Sequence, residues 1–282
     1  MTRWRAGAMG RPGGLLLTVL ALAASPAWAD RTNHLFLDET QMLPEGDVEL
    51  EQWVWADGQI PSMRGRPVSG WTWFGPAVGI SSHLELALPL VVLGFTEPGT
   101  PSMPAYGGQP AQAAMPPQPV LVLDSISLVA RYRFFPREQD DGFQPLIRVE
   151  YQQPLSLYSG PPELKVLLVG TYGNLTGVRG TVNLGVQLGL PFLQSSSTAS
   201  FSALGTAGLG VSVPVGTEFR LAAEFEGQLP LTGIVQPNIS QLFLGPSVAW
   251  TRGQIWVTFG SLFGLTRNSN RFLPKVLWGI TF

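Results

Sequence analysis

Ionisable side chains recur at every second position in several stretches of the sequence. In residues 218–229, for example, acidic and basic side chains occupy even positions and apolar ones the odd positions. Because alternate residues of a β-strand point to opposite faces, such a stretch would have one charged and one apolar face. Facing charged surfaces can form a network of ion pairs that fills the space, or line a constriction that selects ions. The candidates for this charged lining are Glu49, Glu51, Glu85, Arg131, Arg133, Arg148, Glu150, Arg179, Glu218, Arg220, Glu224 and Glu226.

Catalytic chemistry has little support in the sequence. Nucleophilic catalysis needs a general base beside its nucleophile, and histidine is the usual base. The chain has two histidines and no cysteine. His34 precedes the first predicted strand, and His83 lies in a tight turn between two predicted strands. We therefore expect no enzyme, no catalytic residues, no bound metal ion and no cofactor.

Four tryptophans share the alternation of the charged residues. Trp53 and Trp55 are in phase with Glu49 and Glu51, and the next predicted strand carries Trp71 and Trp73 in the same spacing. In this register all four tryptophans would line the interior. A β-bulge would instead turn them outward into an aromatic girdle at a membrane interface.

The elements that carry these residues are strands of 9 to 15 residues separated by connections rich in Gly and Pro. The connections alternate between long and short, as in a membrane barrel with short periplasmic turns and longer external loops. The sequence therefore predicts an all-β protein, a transmembrane antiparallel up-and-down β-barrel of about twelve strands over residues 47–282. The predicted strands are 47–55, 69–80, 83–95, 120–134, 143–155, 164–172, 178–190, 200–213, 217–229, 240–251, 254–265 and 272–282.

Composition agrees with this class. The chain is 45% hydrophobic but only 13% charged, and its formal net charge is −2. After the N-terminal region no apolar run approaches the roughly 20 residues of a membrane-spanning helix. Without a basic patch, nothing indicates a nucleic-acid partner.

Both chain ends carry export features. Residues 1–29 read as a cleaved secretory signal peptide, with arginines, an apolar stretch and the A-x-A site Ala27-Trp28-Ala29. Residues 30–46 would then be a periplasmic segment or a plug in the lumen. The last strand ends on the aromatic residue Phe282, which resembles the C-terminal insertion signal of outer-membrane barrels. That resemblance implies the barrel-assembly machinery and outer-membrane lipid as partners.

One part of the predicted wall is small and uncharged. The inward positions of 178–190 and 200–213 include Asn183, Gly208 and Gly210. Because small side chains leave room, any open path through the barrel is expected along this wall.

Three stretches resemble a known family. They are residues 43–50 (LPEGDVEL), residues 75–90 (GPAVGISSHLELALPL) and residues 244–250 (LGPSVAW). Together they resemble the outer-membrane β-barrel family labelled phenol-degradation meta-pathway (MetA-pathway) transporter-like proteins. Ser81-Ser82-His83 replaces the usual turn of that family.

The resemblance implies a channel or transporter for small solutes, with aromatic or hydrophobic compounds as one class, in the outer membrane of a Gram-negative-type bacterium. The alternative function is a closed structural or adhesive barrel without transport activity.

Overall fold

A computed structural model describes residues 34–57, 69–97, 118–136, 142–156, 161–173, 176–191, 201–232 and 240–282. Within these residues thirteen antiparallel strands form one closed barrel. The strands are β1 (Val48–Asp57), β2 (Ser69–Gly79), β3 (Leu84–Ala87), β4 (Leu90–Glu97), β5 (Gln118–Arg133), β6 (Phe143–Pro154), β7 (Glu163–Gly173), β8 (Arg179–Gly189), β9 (Ser202–Val215), β10 (Phe219–Pro230), β11 (Gln241–Arg252), β12 (Ile255–Gly264) and β13 (Phe272–Thr281). No helix in the described residues is long and apolar enough to span a membrane.

The barrel closes between its first and last strands. β1 pairs with β2 on one side and with β13 on the other. Val48 and Phe282 extend this last seam, because the Phe282 N–H donates to the Val48 carbonyl over 2.7 Å and the Val48 N–H to the Phe282 carbonyl over 3.3 Å. The predicted all-β barrel is confirmed, and a role of Phe282 as an insertion signal stays a prediction.

The third wall position differs from the prediction. In place of one strand over 83–95, β3 and β4 are separated by Leu88 and Pro89. Proline has no N–H to donate to a sheet ladder, so it interrupts the pairing. Both pieces pair with β2 and β5, so the barrel still has twelve wall positions.

The two faces of the wall have opposite chemistry. Large apolar side chains point outward and are exposed, as are Leu121 and Tyr172, while charged and small polar side chains point inward and are buried. The structure also orients β7. Val169 is 3% exposed, whereas its neighbour Leu168 is 55% exposed, so the odd-numbered residues of β7 face the interior. This outer apolar surface is typical of a wall in contact with lipid.

Residues 34–46, called the N-terminal segment below, lie against the interior of the barrel wall. The segment leaves the barrel at the end where the short turns lie, and the Gly46 N–H donates to the Gly79 carbonyl over 2.8 Å. From there it extends inward, and His34, Leu35 and Leu37 are buried. The predicted signal peptide and the middle of the 96–119 connection lie outside the described residues.

Candidate functional site in the lumen

The residues predicted to line the lumen lie on the inner face of the wall and differ in burial. Arg148, Glu218 and Glu226 are partly exposed. The buried ones are Glu49, Glu51, Glu85, Arg131, Arg133, Glu150, Arg179, Arg220 and Glu224. Many of them contact the N-terminal segment in addition to one another. The sequence offered a lumen plug as one alternative for residues 30–46 but predicted none of these contacts.

The first four residues of the segment, 34–37, form its tip, which is held through backbone atoms. The Glu224 carboxylate on β10 accepts hydrogen bonds from the N–H groups of Leu35, Phe36 and Leu37 at 2.7, 2.8 and 3.3 Å. Ser247 donates a fourth hydrogen bond to the same carboxylate. Hydrogen bonds to an ionised acceptor are among the stronger ones in proteins. Glu224 is therefore an anchor for the segment.

Lys275 on β13 holds the tip from another direction. Its ammonium donates to the Leu35 carbonyl over 2.7 Å and lies 4.4 Å from the ring centre of Trp53 and 5.0 Å from that of Phe36. Leu35 itself packs with Trp256 and Leu277. The tip is thus fixed by charges of both signs and by an apolar contact.

The middle of the segment contacts arginines from three strands. Arg148 on β6 pairs with the Asp38 carboxylate at 3.3 Å, and Arg179 on β8 pairs with the Glu39 carboxylate at 3.4 Å. Arg131 on β5 donates to the Glu39 carbonyl. The Asn183 amide, in the orientation that satisfies both its ends, accepts from the Asp38 N–H over 2.7 Å and donates to the Asp38 carbonyl over 3.0 Å.

Acidic side chains of the wall accept hydrogen bonds from these arginines, from the segment or from other side chains of the wall. Glu85 accepts from Arg131 at 3.2 Å and from the Leu43 N–H at 2.9 Å, and Glu150 accepts from Arg148 at 2.8 Å. Glu49 accepts from Trp256 and from Thr281 of the last strand, at 3.0 and 2.7 Å.

The charges near the end of the barrel have other contacts. Arg220 donates to the Gly177 carbonyl, and Glu218 accepts from Trp250 at the same end. Glu226 accepts from Gln228 over 2.9 Å. Glu218 and Glu226 have no direct hydrogen bond to the described part of the segment.

The tryptophans pair across two strands. Trp53 stacks on Trp73 with ring centres 4.7 Å apart, and Trp55 stacks on Trp71 at 5.9 Å. Trp53 and Trp73 line a cavity of about 140 Å³ between the wall and the segment, together with Phe36, Arg131 and Lys275.

The wall expected to be open is occupied. A methyl group on Gly208 would come within 2.2 Å of the Leu37 side chain, and one on Gly210 within 2.6 Å of the His34 ring. The expectation of an open path along β8 and β9 is therefore wrong for this state of the protein. The small residues provide space for the segment. No local pattern in residues 34–46 would have revealed this, since their partners are up to 240 residues away.

His34 forms a buried pair with Glu39 through its Nδ1 atom. Burial lowers the pKa of the imidazole, but the carboxylates of Glu39 and Glu224 together outweigh it, so the pKa of His34 is raised above its usual 6.5. Within the described residues, no group of three or more His, Asp or Glu side chains is placed to hold a metal ion.

Three comparisons bear on identity. No protein-family model and no curated protein matches the chain. Among solved structures, an outer membrane channel from Pseudomonas putida F1 superposes with a TM-score of 0.58 at 8% identity, covering 88% of this chain and 100% of that chain.

Two further barrels superpose less closely. The translocator domain of the autotransporter NalP from Neisseria meningitidis has a TM-score of 0.46 at 14% identity, over 86% of this chain and 90% of that one. OmpT, an outer membrane protein of Vibrio cholerae, has a TM-score of 0.34 at 8% identity, over 84% of this chain and 96% of that one.

Fold and outer surface define the class: this is a β-barrel protein of the outer-membrane type. The phenol-degradation meta-pathway label stays a prediction.

The exclusion of an enzyme requires correction. It rested on the lack of a histidine placed as a general base, whereas His34 lies in the lumen and its Nδ1 atom pairs with the Glu39 carboxylate. The expectation that the chain is not an enzyme is therefore withdrawn.

Proposed function

We propose that this protein is an outer-membrane channel for small solutes whose lumen is closed by its own N-terminal segment. The observation that carries the proposal is the Glu224 carboxylate, which accepts three consecutive backbone N–H groups of the segment tip. A charged residue in the middle of a barrel wall is costly unless it is paired. Here its partner is a segment outside the β-sheet, which can leave without breaking any strand pairing.

The contacts of the segment support a closure that can be reversed. They are hydrogen bonds, ion pairs and side-chain packing, and within the described residues the segment is joined to the wall through Asp47 into β1. Twelve wall positions lie between the eight strands of a filled barrel and the sixteen or more of a porin, so a lumen without the segment would be narrow but passable. The resemblance to the meta-pathway family adds aromatic or hydrophobic compounds as one class of solute.

Export and assembly complete the proposal. Residues 1–29 would direct the chain across the inner membrane and be removed. The barrel-assembly machinery would then recognise the last strand with Phe282, and the apolar outer face would contact outer-membrane lipid.

The experiment uses the absence of cysteine from the chain. Leu37 and Gly208 face each other at contact distance, so cysteines at both positions, in the full chain, create a lock that is closed by oxidation and opened by reduction. We expect refolded, oxidised protein in a planar bilayer to pass little current, and reduction to produce conducting events. Each single-cysteine variant, treated with the same reagents, is the control.

Two outcomes would count against the proposal. Folded, reduced protein that never conducts would favour the alternative, a closed structural or adhesive barrel. Equal currents in the oxidised and reduced states would mean that the segment does not control passage.

A further inference from the structure

Residues 38 and 39 place two carboxylates among basic side chains that belong to the wall. The Asp38 carboxylate contacts Arg148, and the Glu39 carboxylate contacts Arg179 and the segment's own His34. Arg131 contacts the same residue through the Glu39 carbonyl. Three strands of the wall, β5, β6 and β8, thus direct guanidinium groups at one dipeptide.

These guanidinium groups have more donors than the segment uses. An arginine has five N–H donors, and the buried Nε atoms of Arg131 and Arg179 have no acceptor within the described residues. Arg131 and Arg148 also pair with the wall acids Glu85 and Glu150. Arg179 differs, since its ion pair in the described part of the chain is the one with Glu39. Without the segment, this buried cation would lose that carboxylate, and buried charges need partners.

Space for a ligand lies beside the dipeptide. Asp38 and Arg148 border two cavities, of about 140 and 150 Å³, one toward the tryptophans and one toward β8 and β9. Both cavities are partly lined by the segment. If the segment left the lumen, the two cavities would join the space that it now fills.

We propose that Arg131, Arg148 and Arg179 form a binding site for small organic dicarboxylates, which Asp38 and Glu39 occupy as a tethered substitute. The inference rests on the proposed function and names a solute class for it. A dicarboxylate that enters the lumen replaces the two side-chain carboxylates at Arg148 and Arg179, and the dipeptide is displaced. Arginine suits this role because its planar fork matches a carboxylate.

The test measures succinate binding to full-length protein in detergent by isothermal titration calorimetry, at matched ionic strength. Asp38→Asn combined with Glu39→Gln removes the tethered carboxylates and keeps the size of both side chains. We expect this variant to bind succinate at least about tenfold more tightly than the wild type, because the internal competitor is gone. The uncharged diamide of succinate should not bind.

Arg179→Gln in the same background should weaken succinate binding by about tenfold or more, the change expected when a charged partner is lost. Arg252→Gln is the matched control, since Arg252 is 74% exposed and pairs with Glu218 at the end of the barrel. It should leave binding unchanged.

The inference is overturned if the folded double variant binds succinate no more tightly than the wild type, if the diamide binds equally well, or if Arg179→Gln has no effect. If the double variant does not fold, each single variant is titrated, and an affinity equal to that of the wild type in both overturns it. Calorimetry does not depend on conductance. A barrel that conducts without binding succinate would refute this site alone, and one that binds succinate but never conducts would refute the channel.

Discussion

Two sides of the lumen hold the same segment in opposite ways. The glycine side, formed by β8, β9 and β10, has Gly208 and Gly210 where Leu37 and His34 approach, and it presents Glu224 to backbone N–H groups. The aromatic side, formed by β1, β2 and β13, instead surrounds Leu35 and Phe36 with large side chains and Lys275. The glycine side supplies volume and a hydrogen-bond acceptor, and the aromatic side supplies contact area. Small residues in a barrel wall can therefore indicate a bound segment as well as an open path.

The largest effect should come from the anchor on the glycine side. Glu224→Gln replaces a carboxylate that accepts four hydrogen bonds, and leaving buried donors without an acceptor costs about 1–3 kcal/mol each. A cysteine at Phe36 reports release of the tip through its reaction rate with a thiol reagent. We expect that rate to rise by about 10- to 100-fold in the variant, since about 1.4 kcal/mol corresponds to a factor of ten.

Glu226→Gln is the matched control for this experiment. Glu226 lies two residues further along the same strand, and its hydrogen bond is to Gln228. Equal labelling rates in Glu224→Gln and Glu226→Gln would show that Glu224 does not anchor the tip.

A smaller effect is expected from filling the space on the glycine side. Gly208→Leu places a side chain where Leu37 now lies, and excess volume in a packed site costs roughly 1–3 kcal/mol. In this variant the cysteine at Phe36 should react faster with the thiol reagent. Heat-modifiable gel migration should show that the barrel itself is still folded. Gly180→Ala is the control, because a methyl group there meets no atom within 4 Å. A labelling rate unchanged by Gly208→Leu would mean that the glycine side does not define the position of the segment.

The smallest effect should be a pH dependence of segment release that comes from the pair between His34 and Glu39. The pKa of His34 is raised above 6.5 when the segment is in place. The stabilisation of the bound segment by the His34–Glu39 pair is therefore fully present below about pH 6.5 and is lost as the pH rises through the raised pKa of His34. We expect segment labelling to accelerate between neutral and alkaline pH, and His34→Gln to flatten this profile. An identical profile in the variant would assign the dependence to other groups.

Strand positions were predictable because they depend on local alternation. The predicted ends of β6, β7 and β8 lie within one residue of those observed, since each residue's phase follows from its immediate neighbours. The interruption at Pro89 was missed because the alternation continues across it. The polar residues whose side chains face the lumen were also recognisable from this alternation.

Their partners were not predictable in the same way. The contacts between Leu35 and Glu224, or Leu35 and Lys275, join positions about 190 and 240 residues apart, and no short window of sequence contains both. Glu224 and Glu226 look equivalent in the sequence, yet the first accepts three hydrogen bonds from the segment and the second accepts none from its described part. The position of His34 was open for the same reason, because the sequence left residues 30–46 as either a periplasmic segment or a plug in the lumen.

The packing of Leu35 also sets an order of events during assembly. Its site is built from Trp256 on β12 and from Leu277 and Lys275 on β13, which are the last two strands to be synthesised. An incomplete barrel that lacks these strands keeps the Glu224 anchor on β10 but lacks the apolar part of the site for the tip, although the segment precedes these strands in the chain. The apolar contact of Leu35 can therefore form only when β12 and β13 are in place, which ties the final position of the tip to the completion of the wall.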